Sequence, residues 1–414
     1  MPRALIVVEN MSVPADPRVR AQSRTLTAAG WDVTVLCPRG IDRDTAPYEE
    51  IDGVQVHRYT PRTSPGGLSG YAGEYFQALR STRKLARRLE ADGSFDVVQV
   101  CNPPDVMPLA VLALRRRGAA TIFDHHDLTP ELFESRFRRR GLLHRATLTA
   151  ERLAYRLSDV VVATNESFRE NALGRGHKQA TDVFVVRNGP DTSVFRPVPP
   201  DPSLRRDGRH LIGCAGIIGP QDGIDVALDA LATLRERRQD WTAVFAGSGD
   251  ALEAAREQCS QLGLDDVVAF LGFVADRERL VTILSTCDVA LSPEPRNGLN
   301  ERSTLIKVSE YLAVGTPVVA FDLPETRRTA GENAQYAGGD TPAAFADAID
   351  ELLDNEPRRQ ELSAGGRARA VELLSWSSSE ATLLDAYERA LHHPAAEARR
   401  RRRRDRRGTR LERA

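Results

Sequence analysis

No apolar run in these 414 residues approaches the ~18 needed for a bilayer-crossing helix. The N-terminus also lacks the apolar core of a signal peptide. A cytoplasmic chain is therefore expected, neither membrane-spanning nor exported by that route. Cysteine is scarce: Cys37, Cys101, Cys214, Cys259 and Cys287 form an odd, scattered set without metal-ligand spacing. Three of them fall in or beside strand-like runs, as small buried hydrophobes would, which fits a reducing compartment and argues against structural zinc. No glycine precedes Gly30, so the turn Glu9-Asn10-Met11-Ser12-Val13-Pro14 after the first apolar run has none. A dinucleotide fold needs glycine there to bring backbone against pyrophosphate, and the N-terminal half does not look like an NAD domain. Aromatic residues make up 6% and do not interleave with the basic clusters, so nucleic acid is not an expected partner.

What is present is ordinary globular composition, 41% hydrophobic and 28% charged, with length enough for two or more domains. The net charge of −1 hides an asymmetry. Residues 1–195 hold 27 Lys and Arg against 23 Asp and Glu (+4), residues 196–393 hold 20 against 32 (−12), and residues 394–414 hold 10 against 3 (+7). Short apolar runs at Ala4–Val8, Val33–Cys37, Val54–Arg58, Val97–Val100, Ala120–Phe123, Val160–Ala163 and Val183–Val186 read as strands covered on both faces. A second series follows at Leu211–Ala215, Thr242–Ala246, Val267–Leu271, Val289–Leu291 and Pro317–Phe321. Helical segments such as Arg18–Ala29, Tyr75–Glu90, Ile224–Glu236 and Leu252–Leu262 lie between them. Such alternation predicts an α/β protein with two Rossmann-like, doubly wound parallel-sheet domains. The expected boundaries are 1–195 and 208–375, joined by the proline-rich connector Arg196–Asp207. A helix at 376–392 and a basic, disordered tail at 393–414 complete the chain.

The stretch Asn300–Glu325 organises the second half. Ser303 and Thr304 stand where a helix N-cap would, and Gly315 where the helix would end. Lys307 and Glu310 then share one face with Ser303. Helix-start amides and hydroxyls suit phosphate, and a carboxylate two turns on suits ribose hydroxyls. A capped surface helix with a Lys307–Glu310 ion pair is the plainer alternative. Glycines at Gly216, Gly219 and Gly223, and again at Gly247 and Gly249, follow the first two strands of this half. All three features fall at strand carboxyl ends, where parallel sheets bind ligands, which makes the second half the expected nucleotide domain. In the first half, Asp124-His125-His126-Asp127 follows a strand. It could hold a metal, move a proton or form a polar turn; convergent ligands for a metal are not evident, and a functional histidine facing a cleft is the better reading. Arg80–Arg88 and Arg136–Arg140 are basic, amphipathic segments that suit an anionic membrane surface as well as a solvated face.

The chain resembles the family-4 retaining glycosyltransferases of the GT-B type, such as those building bacterial cell-surface polysaccharides and glycolipids. The likeness rests on Asp16-Pro17-Arg18-Val19, Phe123-Asp124-His125-His126-Asp127 with Pro130-Glu131, Arg187-Asn188-Gly189-Pro190-Asp191, and Ser303-Thr304-Leu305-Ile306-Lys307-Val308-Ser309-Glu310-Tyr311. It also includes Trp376 ahead of a last helix that in such folds crosses back onto the first domain. The resemblance implies a nucleotide-diphosphate sugar, expected to be UDP-linked, as substrate, with no cofactor or fixed metal. It implies Glu310 on the ribose, amides around Gly216, Gly219, Gly247, Ser303 and Thr304 at the phosphates, and His126 toward the transferred sugar. The transferred sugar would be a hexose or N-acetylhexosamine, and the acceptor a lipid-linked or saccharide hydroxyl. Three departures stand out. Arg302 replaces the first Glu of the family's Glu-x7-Glu pair, with Glu301 beside it as the nearest carboxylate. Glu294–Glu301 looks like an insertion. Ile217 and Asp222 occupy the places of the basic pair at the diphosphate, leaving Lys307 as the replacement, with Arg302 and Arg296 in reserve. A sugar-nucleotide epimerase of the same fold, or a catalytically silent nucleotide-sugar-binding protein, are the competing expectations.

Overall fold

The computed structural model describes residues 1–41, 43–62, 68–137, 141–206 and 209–411. Two compact units emerge, Met1–Arg187 with Ser379–Ala414, and Asn188–Ser378.

The first unit is built on β1 Arg3–Val7, β2 Asp32–Pro38, β3 Tyr48–Ile51, β4 Val54–Tyr59, β5 Val97–Cys101, β6 Ala120–His125, β7 Val160–Ala163 and β8 Val183–Val185. They pair in the order β3-β4-β2-β1-β5-β6-β7-β8. All pairings are parallel except β3 with β4. The crossovers are α1 Pro17–Ala28, α2 Leu68–Ala91, α3 Leu112–Arg116, α4 Thr129–Phe137, α5 Leu142–Leu157 and α6 Glu166–Gly174. Local chemistry sets the first of these. Asp16 accepts from the Val19 amide at 2.9 Å, with Pro17 at the first helical position.

The second unit alternates strictly: β9 His210–Ala215, α7 Ile224–Arg235, β10 Trp241–Ala246, α8 Leu252–Gln261, β11 Val268–Gly272, α9 Arg277–Thr286, β12 Val289–Ser292, α10 Ile306–Val314, β13 Val318–Ala320, α11 Pro324–Ala330 and β14 Gln335–Tyr336. Helices α12 Pro342–Asp354 and α13 Glu356–Arg369 follow. The order is β11-β10-β9-β12-β13-β14, all parallel. In both sheets the winding reverses once, at β1/β5 and at β9/β12. A crevice outside the strand carboxyl ends opens at such a reversal.

Every strand expected from the sequence forms, with ends shifted by a residue or two. Two further strands appear. Three of the four β3 residues are exposed, so this edge strand has no apolar run to reveal it, and β14 is only two residues long.

Helix α14 Trp376–Leu391 leads from the second unit into the first. Its Tyr387 hydroxyl donates to Gln99 at 2.9 Å and its ring meets Trp31 edge-on. Arg389 pairs with Asp182 at 2.7 Å.

The tail corrects the expectation of disorder, since Pro394–Leu411 forms helix α15. Three of its arginines have fixed acceptors: Arg399 grips Asp159 (3.1 and 2.5 Å), Arg400 donates to the Gly118 and Asp96 carbonyls, and Arg403 to the Arg117 carbonyl at 2.8 Å. Composition alone does not report such docking. Burial alone would raise the Asp159 carboxyl, but Arg399 and Arg115 hold it below its ordinary value. The stabilisation is therefore present above pH ~4 and lost as the carboxylate protonates in acid. Arg399→Ala leaves Asp159, 2% exposed, with Arg115 as its remaining charge partner. We expect a loss of about 1–3 kcal/mol at pH 7 that shrinks toward pH 3, measured by thermal denaturation across pH.

Candidate active site

In the second unit, Tyr311 ties α10 to the end of β9. Its hydroxyl accepts from the Ala215 amide at 2.7 Å and donates to the Ala215 carbonyl at 3.1 Å. Both polar groups of the last strand residue are thereby satisfied, and the helix lies beside the turn that starts at Gly216. A Cβ on Gly216 would sit 3.2 Å from Lys307 Cε, and one on Gly247 only 1.9 Å from the Gly216 carbonyl. These glycines let two loops and one lysine share a small space.

Their amides are less free than expected. Gly216 N–H donates to Ala246 O at 3.0 Å, and Gly219 N–H to the Asp222 carboxylate at 2.9 Å. The expected cap is also corrected: α10 begins at Ile306, with Leu305 at the cap position and no side-chain bond. Ser303 instead donates to Leu299 O at 2.8 Å. The turn through Leu299–Ser303 uses the hydroxyl that the sequence offered to the helix, so Ser303 and Thr304 precede α10 rather than cap it.

Lys307 does not pair with Glu310. Its Nζ lies 2.6 Å from Glu294 Oε1, and Ser292 donates to Glu294 Oε2 at 2.5 Å. Burial would lower the Lys307 ammonium, but Glu294 outweighs it and the net shift is upward. Asp222 is the next carboxylate to feel that charge. A cation, Lys307, therefore stands close enough to Asp222 for each to feel the other's charge. Glu294, which opened the apparent insertion, is a buried counter-ion that spacing alone did not reveal. The reserve cations are otherwise placed. Arg296 binds Glu301, Asp340 and the Asp322 carbonyl at 2.7–2.8 Å, and Arg302 is exposed, reaching the Gly298 carbonyl at 3.4 Å.

Glu310 follows on the same helix. Burial pushes its carboxyl up to about 7, with Arg277 and Lys307 pulling the other way.

In the first unit, Asp124 near the end of β6 is fully buried. Arg18 reaches it with Nη2 at 2.7 Å and Nε at 3.0 Å; Gln22 and Gln99 donate at 2.9 and 3.2 Å. Burial would raise this carboxyl, yet Arg18 holds it well below the usual range. The adjacent histidines differ sharply. His125 is buried, its Nδ1 2.9 Å from the Tyr155 hydroxyl, and burial with Arg175 lowers it to about 3. His126 is partly exposed, with Nδ1 3.8 Å from Asp124. Asn102, after β5, holds this turn by accepting from the His126 and Asp127 amides at 2.9 and 3.1 Å and donating to Asp127 O at 2.7 Å.

Cys101, Asp124 and His126 bring three potential ligand atoms within 4.8 Å of one another. Both Asp124 oxygens are already committed to donors and a guanidinium lies against them, so the trio does not fit a divalent cation.

Two doubly wound parallel-sheet α/β units in one chain are the architecture of the GT-B class of glycosyltransferases. Residues 15–189 match the family described as "Glycosyl transferase 4-like domain", and residues 209–355 match "Glycosyl transferases group 1". The chain is 30% identical over 406 residues to the D-inositol 3-phosphate glycosyltransferase of Stackebrandtia nassauensis, covering 91% of this chain and 87% of that one. It is 29% identical over 369 residues to the phosphatidyl-myo-inositol mannosyltransferase of Mycobacterium leprae, covering 88% and 90%. The solved structure of a sucrose-phosphate synthase from Thermosynechococcus elongatus superposes with a TM-score of 0.76 at 17% identity, covering 94% and 99%. The chain belongs to glycosyltransferase family 4 and is a glycosyltransferase enzyme.

A carboxyl whose folded value is raised loses stability as pH climbs through that value. Glu310→Gln should therefore stabilise the ligand-free protein at pH 8 by about 1–2 kcal/mol, with the gain fading toward pH 4.5. Thermal melts at both pH values check this.

Proposed function

We propose that the chain transfers a hexosyl group, with retention, from a nucleotide-diphosphate sugar to a hydroxyl of a lipid-linked or saccharide acceptor. The carrying observation is the row on α10: Glu310, then Lys307 against Gly216, at the reversal of the second sheet. Glu310 would accept from ribose hydroxyls and Lys307 would face the diphosphate. The likeness to a phosphatidyl-myo-inositol mannosyltransferase, and at 26% identity to a GDP-mannose-dependent mannosyltransferase of Mycobacterium tuberculosis, favours mannose as the sugar and a guanosine donor ahead of the uridine one expected from the sequence. His126, the accessible member of the histidine pair, would serve the transferred sugar. Catalysis then rests on positioning and on stabilising the departing diphosphate. No metal is assigned a role.

The test is a thermal-shift panel with guanosine, uridine and adenosine diphosphates and NAD, followed by assay of donor turnover with and without acceptor. Stabilisation by a nucleoside diphosphate with neither transfer nor slow sugar release would favour a silent binding protein. Epimerised sugar would favour the epimerase reading.

Glu310→Ala should weaken nucleoside-diphosphate binding by about 2–4 kcal/mol, the worth of two charge-assisted hydrogen bonds, with the fold intact by circular dichroism. His126→Ala should keep nucleotide affinity and lose on the order of a hundredfold in transfer rate. His125→Ala should instead lower the melting temperature, because it empties a packed buried position.

No helix among the described residues is long and apolar enough to cross a membrane. We propose reversible docking of the first unit on anionic lipid. Arg80, Arg83, Lys84, Arg87 and Arg88 on α2 are all exposed, as are Phe76 on that helix and Leu142 and Leu143 on α5. Of the basic run Arg136–Arg140, residues 138–140 and the side chains of 136 and 137 lie outside the described residues. Each basic side chain near such a surface contributes about 1 kcal/mol. Full-length protein should co-sediment with anionic but not neutral vesicles at low salt, and the triple change Arg80→Ala, Arg83→Ala, Arg87→Ala should release it. Unaltered binding by the triple variant would move the docking surface to the tail, and no binding would favour a soluble acceptor.

A further inference from the structure

We propose that Glu294 is a positioning residue for donor binding, a built-in competitor that holds Lys307 over the glycine turn and sets how tightly the diphosphate is retained. This rests on the reading of the second unit as the nucleotide-sugar domain.

Glu294 is 1% exposed and follows β12, the strand beside β9 at the reversal of the sheet. A buried carboxylate there needs compensation, and two groups supply it: the Ser292 hydroxyl at 2.5 Å on Oε2 and the Lys307 ammonium at 2.6 Å on Oε1. The lysine needs the pair just as much, because its own side chain is buried. Among the described residues, the Glu294 carboxylate at 2.6 Å is the hydrogen-bond and charge partner of Nζ. One of the three ammonium N–H groups serves Glu294, and the other two are left for a ligand. Those donors sit beside the Gly216 turn, where Lys307 Cε would meet a Cβ.

The surrounding charges sharpen the case. Asp222 occupies the Gly219 amide at 2.9 Å, so the turn carries Lys307 against two carboxylates and no net positive charge. Arg296 is tied up elsewhere. A site that bound a diphosphate through a free, unopposed lysine would also hold the nucleoside-diphosphate product. With Glu294 in place, Lys307 is kept buried and aimed while its attraction for an incoming phosphate is partly offset. Exchange of one anion for another, rather than capture by a free cation, is what this arrangement does. A purely structural ion pair would make no distinction between a nucleoside and its diphosphate.

Calorimetric titration of guanosine and uridine, and of their diphosphates, measures that distinction. Glu294→Gln keeps shape and a hydrogen-bonding oxygen while removing the charge. It should raise the preference for diphosphate over nucleoside tenfold or more, and lower both KM for the donor and kcat as product release slows. Glu294→Asp should return the preference to within about threefold of wild type. Ser292→Ala, which changes no charge, should shift the preference the same way by about threefold and serves if Glu294→Gln folds poorly. An unchanged or reduced preference in Glu294→Gln, or in Ser292→Ala where that is the variant that folds, overturns the proposal. If the wild-type protein binds neither nucleoside diphosphate, the functional reading fails and this inference falls with it. Wild-type binding with an unaltered preference in the variants removes this inference alone.

Discussion

Asp124 is the constraint around which the first unit is assembled. A carboxylate with no access to water would be strongly destabilising alone. It is tolerated because Arg18 supplies a two-pronged guanidinium and Gln22 and Gln99 supply further donors. Those donors come from α1 and β5, so the ion pair fixes the first helix against the middle of the sheet. Gln99 then passes the linkage to Tyr387 on α14, which explains why a helix from the end of the chain belongs to this unit. Two residues beyond Asp124 stands His126, whose backbone is held from the other side by Asn102. The histidine is placed by its backbone bond to Asn102, with its ring Nδ1 3.8 Å from Asp124.

The second unit solves a different problem. A diphosphate-binding turn needs donors close to the ligand, yet the Gly216 and Gly219 amides are spent within the protein. Glycine here serves close passage of backbone and Lys307 more than it serves free N–H groups. Tyr311, Lys307 and Glu310 act from one short helix. The tyrosine fixes that helix to the strand end, the lysine carries the charge, and the carboxylate lies one turn on.

The fold was legible because its signals are local. Continuous apolar runs separated by amphipathic segments specify buried parallel strands, and every such run became a strand. The edge strand β3 was illegible for the converse reason: with Tyr48, Glu49 and Glu50 in solvent, it looks like a loop. At the site, the residue types on α10 could be read, but their partners could not. Ser303 matches an N-cap by composition, yet the competing Leu299 carbonyl lies closer to hand. Lys307 and Glu310 are neighbours by helical spacing, but Glu294 arrives from thirteen residues upstream through a loop whose path has no periodicity. The arginine-rich tail misled in the same way. Its charge density suggests disorder, while Asp159 and the carbonyls of Gly118 and Asp96 offer acceptors that only the folded unit creates.

Glu310 shows why such a site is built with an energetic penalty left in it. A carboxyl raised to about 7 by burial carries its negative charge at a cost in the ligand-free protein. Replacing it by a neutral residue would relieve the ligand-free protein, which is the usual relation between stability and function. The penalty has a use. Ribose hydroxyls donating to the carboxylate would favour its charged form, so on the proposed reading nucleotide binding and the ionisation of Glu310 would reinforce one another. Lys307 obeys the same logic with the sign reversed, because Glu294 already supplies the partner that a buried ammonium requires. One helix therefore presents a carboxylate that waits for its donors and a cation that must be shared. On the proposed reading, that difference would make the ribose end of the site pH-dependent and the diphosphate end a matter of competition between anions.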